Sequence, residues 1–189
     1  LSASQPVTSR ERLAGRGDVM AALIGAIEQQ RAHVVLYGER GIGKTSLAVE
    51  TARRVAEEAA GGSDDARAPL QFDAIYLVEL LSLRDSTMLA QTVLMAMGLE
   101  GNPEQSPGQT LAHFLGEQNV LLILDNCEHL IGPAAELAHT IVKHAPQVRM
   151  IASSREPLHV PGEQTYPILP LPVPDAWERA GLEDFDRRA

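Results

Sequence analysis

The chain has 189 residues, and its 16 Lys and Arg against 25 Asp and Glu give a formal net charge of −9, so no overall basic field draws it to DNA, RNA or acidic lipid. With 44% hydrophobic and 22% charged residues it has the balance of a folded soluble domain rather than a disordered chain, and its single cysteine, Cys127, excludes an internal disulfide. The length suits one domain with a short appendage. No apolar run is long enough to span a bilayer, and residues 1–8 lack the basic start and apolar centre of a signal peptide. Cysteine usage fits a reducing compartment, the cytoplasm. The chain does not open on Met, and a piece of a longer protein is expected.

Residues 1–9 are polar and read as a flexible lead-in. Leu13 to Asp18 forms a turn with Asp18 as helix N-cap, and Val19, Leu23 and Ile27, with Met20 and Ile24 beside them, make the stripe of a helix ending near Arg31. His33 to Tyr37 is the first strand. A helix from Lys44 to Ala60 carries Leu47, Thr51, Val55 and Ala59 on one face and Glu50, Arg53, Arg54, Glu57 and Glu58 on a solvated one. Gly61 to Asp65 is a surface loop. Ala74 to Val78 is a second strand whose unbroken apolar run predicts burial on both faces. Asp85 or Ser86 caps a helix carrying Leu89, Val93 and Met97 that stops at Gly98. Gly101 to Gly108 is loop, and Thr110 to Glu117 a short helix. Val120 to Leu124 is the third strand. Pro133 suits the first turn of a helix running to about His144. Val148 to Ala152 is the fourth strand, and Tyr166 to Leu169, with its proline, a fifth at an edge. A proline-rich run to Pro174 is extended linker. Strands alternate with helices, which predicts an α/β fold on a mainly parallel sheet.

Between the first strand and its helix lies Gly38-Glu39-Arg40-Gly41-Ile42-Gly43-Lys44-Thr45, which fits G-x-x-x-x-G-K-[ST] at every fixed position. Glycines let such a turn take positive φ and bring amide N–H groups up to a phosphate. The helix start adds unpaired N–H groups and a positive dipole end aimed at the same anion. Lys44 would reach the β- and γ-phosphates of a nucleotide, and the Thr45 hydroxyl would hold Mg²⁺. Leu121-Leu122-Ile123-Leu124-Asp125 then ends an apolar strand on a carboxylate, which delivers Asp125 to the Mg²⁺ shell, directly or through water.

Hydrolysis also needs a group that orients or deprotonates water. Asn126 follows Asp125, and an amide is a poor base. Glu128 is either that base or a solvated turn carboxylate. Arg155, after Ala152-Ser153-Ser154, is either a sensor of the γ-phosphate, since guanidinium pairs well with phosphate oxygens, or a surface arginine in a turn. Any turnover is expected to be slow, which suits a switch. The six histidines show no metal spacing, and Cys127 with His129 lacks a second pair to complete a zinc set.

The strings GERGIGKTSLA (38–48), LLILDNCEHLI (121–131) and VRMIASSREPLHVPGEQTYPILPLPVP (148–174) together resemble the nucleotide-binding module, of NB-ARC/AP-ATPase-like type, of bacterial STAND regulators, the signal-transduction ATPases with numerous domains of the LuxR and SARP types. LAGRGDV (13–19) is similar to that family's GRE motif, with Gly17 where the family has an acidic residue. The resemblance covers about Leu13 to Pro174. It implies a P-loop NTPase domain over 10–173, with 174–189 starting a connector to a lid that this sequence lacks. It implies a three-layer AAA-related architecture with five strands in the order 5-1-4-3-2. ATP or ADP and Mg²⁺ are the implied ligands, and switching between a closed ADP form and an assembling ATP form is the implied activity. Carried over, Gly38, Gly41, Ile42, Gly43, Lys44, Thr45 and Ser46 line the phosphates, Arg16 borders the adenine, Thr45 and Asp125 hold the metal, and Arg155 senses the γ-phosphate.

Three functions stay open on these grounds. The first is a regulatory ATPase switch in a transcription or signalling protein. In that protein DNA would be bound by another domain and not by this one, no membrane would be involved, and the nucleotide could drive self-association. The second is a metabolite kinase, although no arginine-rich lid stands out. The third is a static scaffold stabilised by bound ADP. Lacking the lid, this piece alone is expected to bind nucleotide weakly and turn over little.

Overall fold

The computed structural model describes residues 16–29, 32–60 and 71–170. The lead-in, the turn from Leu13, the loop at Gly61 to Asp65, most of the proline-rich run and the connector lie outside the described residues. In order, the elements are α1 (Gly17–Ile27), β1 (His33–Tyr37), α2 (Lys44–Ala60), β2 (Ala74–Glu79), α3 (Leu89–Ala96), α4 (Pro107–Leu115), β3 (Val120–Asp125), α5 (Ile131–His144), β4 (Arg149–Ser154) and β5 (Gln164–Pro167).

The strands form a five-stranded sheet in the order β2-β3-β4-β1-β5, which is 5-1-4-3-2 read from the other edge, and every pairing is parallel. Parallel neighbours need crossovers, and the crossover helices cover both faces. Alternation along the strands divides the core accordingly. Val35, Leu122, Leu124, Met150 and Ala152 enter one cluster with residues of α3, α4 and α5. Val34, Leu36, Leu121, Ile123 and Ile151 enter the other with Met20, Leu23 and Ile27 of α1 and Leu47 and Ala48 of α2. The result is three layers with the sheet in the middle.

The second strand departs from the expected burial on both faces. β2 is an edge strand, and Leu77 is 43% exposed. Leu77 stands in register with Ile123, so it lies on the α1/α2 face. There α2 packs on β1, β3 and β4, and that layer leaves Leu77 uncovered.

Helix ends also differ. α1 starts at Gly17, with Arg16 at the N-cap position and no side-chain cap; Asp18 sits inside the first turn, where its charge favours the positive helix end. It closes at Ile27 rather than near Arg31, with Gln29 N bonded to Ala26 O in a tighter turn before β1. α4 starts at Pro107 rather than Thr110, because Ser106 and Gln109 form a reciprocal capping box around a proline at the first helical position. β4 runs two residues past Ala152, so Ser153 and Ser154 belong to the sheet.

Candidate functional site

β1 hands over to α2 through a loop whose glycines carry it. Gly38, Gly41 and Gly43 have φ of 144°, 78° and 96°, values that residues with a Cβ avoid. Gly38 has a second reason: a Cβ there would stand 2.6 Å from the carbonyl oxygen of Ile168. Lys44 curls back over the loop, its Nζ donating to Gly38 O and Glu39 O at 2.8 Å each. Burial pulls its pKa below the usual lysine value, opposed by the carboxylates of Glu128, Asp125 and Glu39, while Arg155 adds to the lowering. Thr45 and Ser46 occupy the first turn of α2 and are half-buried.

The register of the sheet assembles the next part. Leu124 pairs with Ala152 and Val35 pairs with Ala152, so the next residue along, on the opposite face toward α2, is Asp125 on β3 and Ser153 on β4. Asp125 is buried at 2% exposure. Its Oδ1 accepts from Thr45 Oγ1 at 2.7 Å and from the Ser153 hydroxyl. Its Oδ2 accepts from Asn126 Nδ2 at 2.8 Å. Ser153 Oγ in turn accepts from the Asn126 backbone N–H at 3.0 Å. Asn126 adopts the left-handed conformation, φ 63° and ψ 53°, which Asn tolerates better than most residues. Ser153 was not singled out by sequence reasoning; a hydroxyl at the end of an otherwise apolar strand was the available signal.

A hydroxyl and a carboxylate brought together at the start of a helix form a hard-oxygen donor pair, the kind that Mg²⁺ prefers, and glycine-permitted loop amides beside them suit phosphate. The residues present therefore fit a magnesium nucleotide.

Glu128 and Arg155 come together with each other. Arg155 Nε lies 3.6 Å from Glu128 Oε1, with the arginine side chain 58% exposed and the glutamate 19%. Arg16 is buried beside the loop, and its guanidinium donates to Ile42 O and Leu169 O, 3.0 Å each. The remaining histidine and cysteine near the site are occupied otherwise. His129 Nε2 is 2.9 Å from Leu83 O. Cys127 is fully buried, and burial, followed by the Asp125 and Glu128 charges, pushes its thiol up to about 12. A thiol so protonated and enclosed is unreactive. Aromatic disulfide reagent at pH 8 is expected to leave the native chain unlabelled and to label one thiol after unfolding in guanidinium; native labelling at the unfolded rate would contradict this burial.

The AAA domain family matches residues 27–155. A Mycobacterium tuberculosis protein named "Putative HTH-type transcriptional regulator" is 31% identical over 150 residues, which cover 79% of this chain and 15% of that protein. An uncharacterized M. tuberculosis protein is 29% identical over 138 residues, covering 73% of this chain and 32% of its own length. The chain thus spans about a seventh of the length of the first of these curated relatives and about a third of the second. Among solved structures, Cdc6p from Pyrobaculum aerophilum superposes with a TM-score of 0.58 at 14% identity, covering 87% of this chain and 48% of that one. A STAND protein with a tetratricopeptide repeat sensor from Pyrococcus horikoshii gives 0.51 at 16% identity, covering 100% of this chain and 27% of that one. Such identities show a shared fold and nothing finer. The sheet order, the glycine loop between β1 and α2, and the match over residues 27–155 agree: the chain belongs to the AAA domain family of P-loop NTPases.

Proposed function

We propose that this domain is an ATP/ADP-binding regulatory switch of STAND type within a multidomain bacterial transcriptional or signalling regulator, with slow or partner-dependent hydrolysis. The observation that carries the reading is the 2.7 Å contact between Thr45 and Asp125, beneath a loop whose glycines already hold positive φ. The name of the 31%-identical mycobacterial relative supports the regulatory setting. Cytoplasmic location, DNA binding by another domain and nucleotide-dependent self-association are parts of the same proposal.

In this reading the amides of residues 38–46 would hold the phosphates, and Thr45 with Asp125 would hold Mg²⁺. The bound metal would supply charge neutralisation at the phosphate oxygens. Lys44 exchanges the carbonyls of Gly38 and Glu39 for phosphate oxygens, and Ser153 and Asn126 keep the Asp125 carboxylate oriented. A γ-phosphate would draw Arg155 away from Glu128, 3.6 Å from it here. Glu128 is thereby released to orient or deprotonate water when a triphosphate is present, and stays paired when it is not. That dependence suits a switch.

Calorimetric titration of ATP and ADP with Mg²⁺, combined with phosphate release in the presence and absence of candidate acceptors, tests the proposal. Binding of both nucleotides with slow, acceptor-independent phosphate release supports it. Acceptor-dependent ADP formation would replace it with a kinase. Unfolding on nucleotide removal, with no turnover in the full-length protein, would replace it with a scaffold.

A further inference from the structure

The phosphate loop is anchored from outside as well as from within. Ile168, just past β5, donates its amide N–H to Tyr37 O at 2.8 Å. Its carbonyl approaches Gly38 so closely that no side chain fits between them. Leu169 offers its carbonyl to Arg16 at 3.0 Å, and the same guanidinium nitrogen donates to Ile42 O at 3.0 Å. That nitrogen carries two N–H groups, one for each carbonyl. Residues 168 and 169 are therefore fastened to both ends of the loop, at Tyr37 and Gly38 where it begins and at Ile42 where it meets α2.

The Ile42 contact has a directional consequence. A trans peptide is planar, with its C=O and N–H pointing opposite ways. Drawing the Ile42 carbonyl toward Arg16 aims the Gly43 N–H the other way. Gly43, on one side of this peptide, has a φ of 96°, and a glycine there lowers the cost of turning it once released. Arg16 is 7% exposed, and a guanidinium enclosed to that degree needs its donors satisfied. Both carbonyls must therefore stay in place for it to remain where it is.

We propose that Arg16 is a positioning residue that presets the Ile42–Gly43 peptide of the phosphate loop and couples it to residues 168–169, the segment by which the chain leaves the sheet. The functional part of this, the preset of Gly43 N–H, rests on the phosphate-binding reading; the coupling of the two segments does not. When the loop peptide turns, Leu169 is released, and when the exit segment is pulled, the loop is disturbed.

Amide hydrogen exchange read at Ile168, at residues 41–45 and at β3 tests this on wild type, Arg16→Gln and Arg16→Lys. Without nucleotide, Arg16→Gln is expected to speed exchange at Ile168 by about tenfold or more while β3 stays protected. Adding MgADP should slow both the loop and Ile168 in wild type, but the loop alone in Arg16→Gln. Arg16→Lys, which keeps donors at that position, should recover part of the Ile168 response and serves if the glutamine variant does not fold. Unchanged Ile168 exchange in the nucleotide-free variants, or an equal MgADP response at Ile168 in wild type and variants, overturns the coupling. Indifference of wild type to MgADP would instead sink the nucleotide reading, and the nucleotide-free comparison would still decide the clamp.

Discussion

Lys44→Ala is expected to weaken binding of MgATP and MgADP by about 100-fold or more while leaving the fold intact. The Nζ donates to Gly38 O and Glu39 O at 2.8 Å, carbonyls on a half-buried and an exposed residue that water can reach once the lysine is gone. Fold stability therefore changes little. Two charge-assisted bonds to phosphate oxygens are worth about 1.5–3 kcal/mol each, and about 2.7 kcal/mol already amounts to 100-fold. Burial lowers the Lys44 pKa in the free domain, and phosphate oxygens would raise it again. Binding at alkaline pH should thus take up protons, seen as a buffer-dependent enthalpy in calorimetry. The sign for stability follows from the same shift. The unfolded chain binds the lysine proton more tightly, so this group's contribution to stability grows as pH rises through the lowered folded value toward 10.5. Wild-type nucleotide affinity in Lys44→Ala would remove the phosphate-loop reading.

What the sequence disclosed was local and periodic. The glycine loop, the Asp at the end of β3 and the span of α2 from Lys44 to Ala60 were legible because a turn needing positive φ, a buried strand and an amphipathic helix each write their demands into adjacent residues. What stayed hidden depended on which elements lie side by side. The apolar run of β2 could not say that, among the described strands, it borders β3 alone, so the exposure of Leu77 was out of reach. The part played by Ser153 needed the register of β4 against β3. The hydrogen bonds of Arg16 were equally out of reach, since its guanidinium joins carbonyls 26 and 153 positions away, contacts no pattern along the chain encodes. The start of α4 at Ser106-Pro107 is different in kind, since its capping box of Ser106 and Gln109 is a local pattern that the sequence itself carries.

Arg155→Ala should erase the preference for ATP over ADP, and Glu128→Gln should slow any hydrolysis by about 100-fold or more, the usual range for loss of a general base. The structure makes these two effects separable. The pair is 3.6 Å apart with the arginine mostly in solvent, so holding it together contributes at most about 1 kcal/mol. A γ-phosphate, with more charge and a bidentate face for the guanidinium, can outcompete the glutamate. Removing Arg155 would delete the proposed γ-phosphate contact and also free Glu128, so ADP affinity should stay unchanged while the ADP-to-ATP ratio of dissociation constants moves toward one. Replacing Glu128 by Gln would delete the proposed base and also free Arg155, so ATP affinity should hold or rise while phosphate release falls. Equal ATP and ADP binding in wild type and in Arg155→Ala, measured side by side, would deny Arg155 the sensing role. Undiminished phosphate release in Glu128→Gln would move the search for the base to another side chain. A rise in ATP affinity in Glu128→Gln would be the mark of an arginine and a glutamate that hold each other until a triphosphate separates them, whereas variants that each change only their own half of the pattern would mean that the two residues act independently.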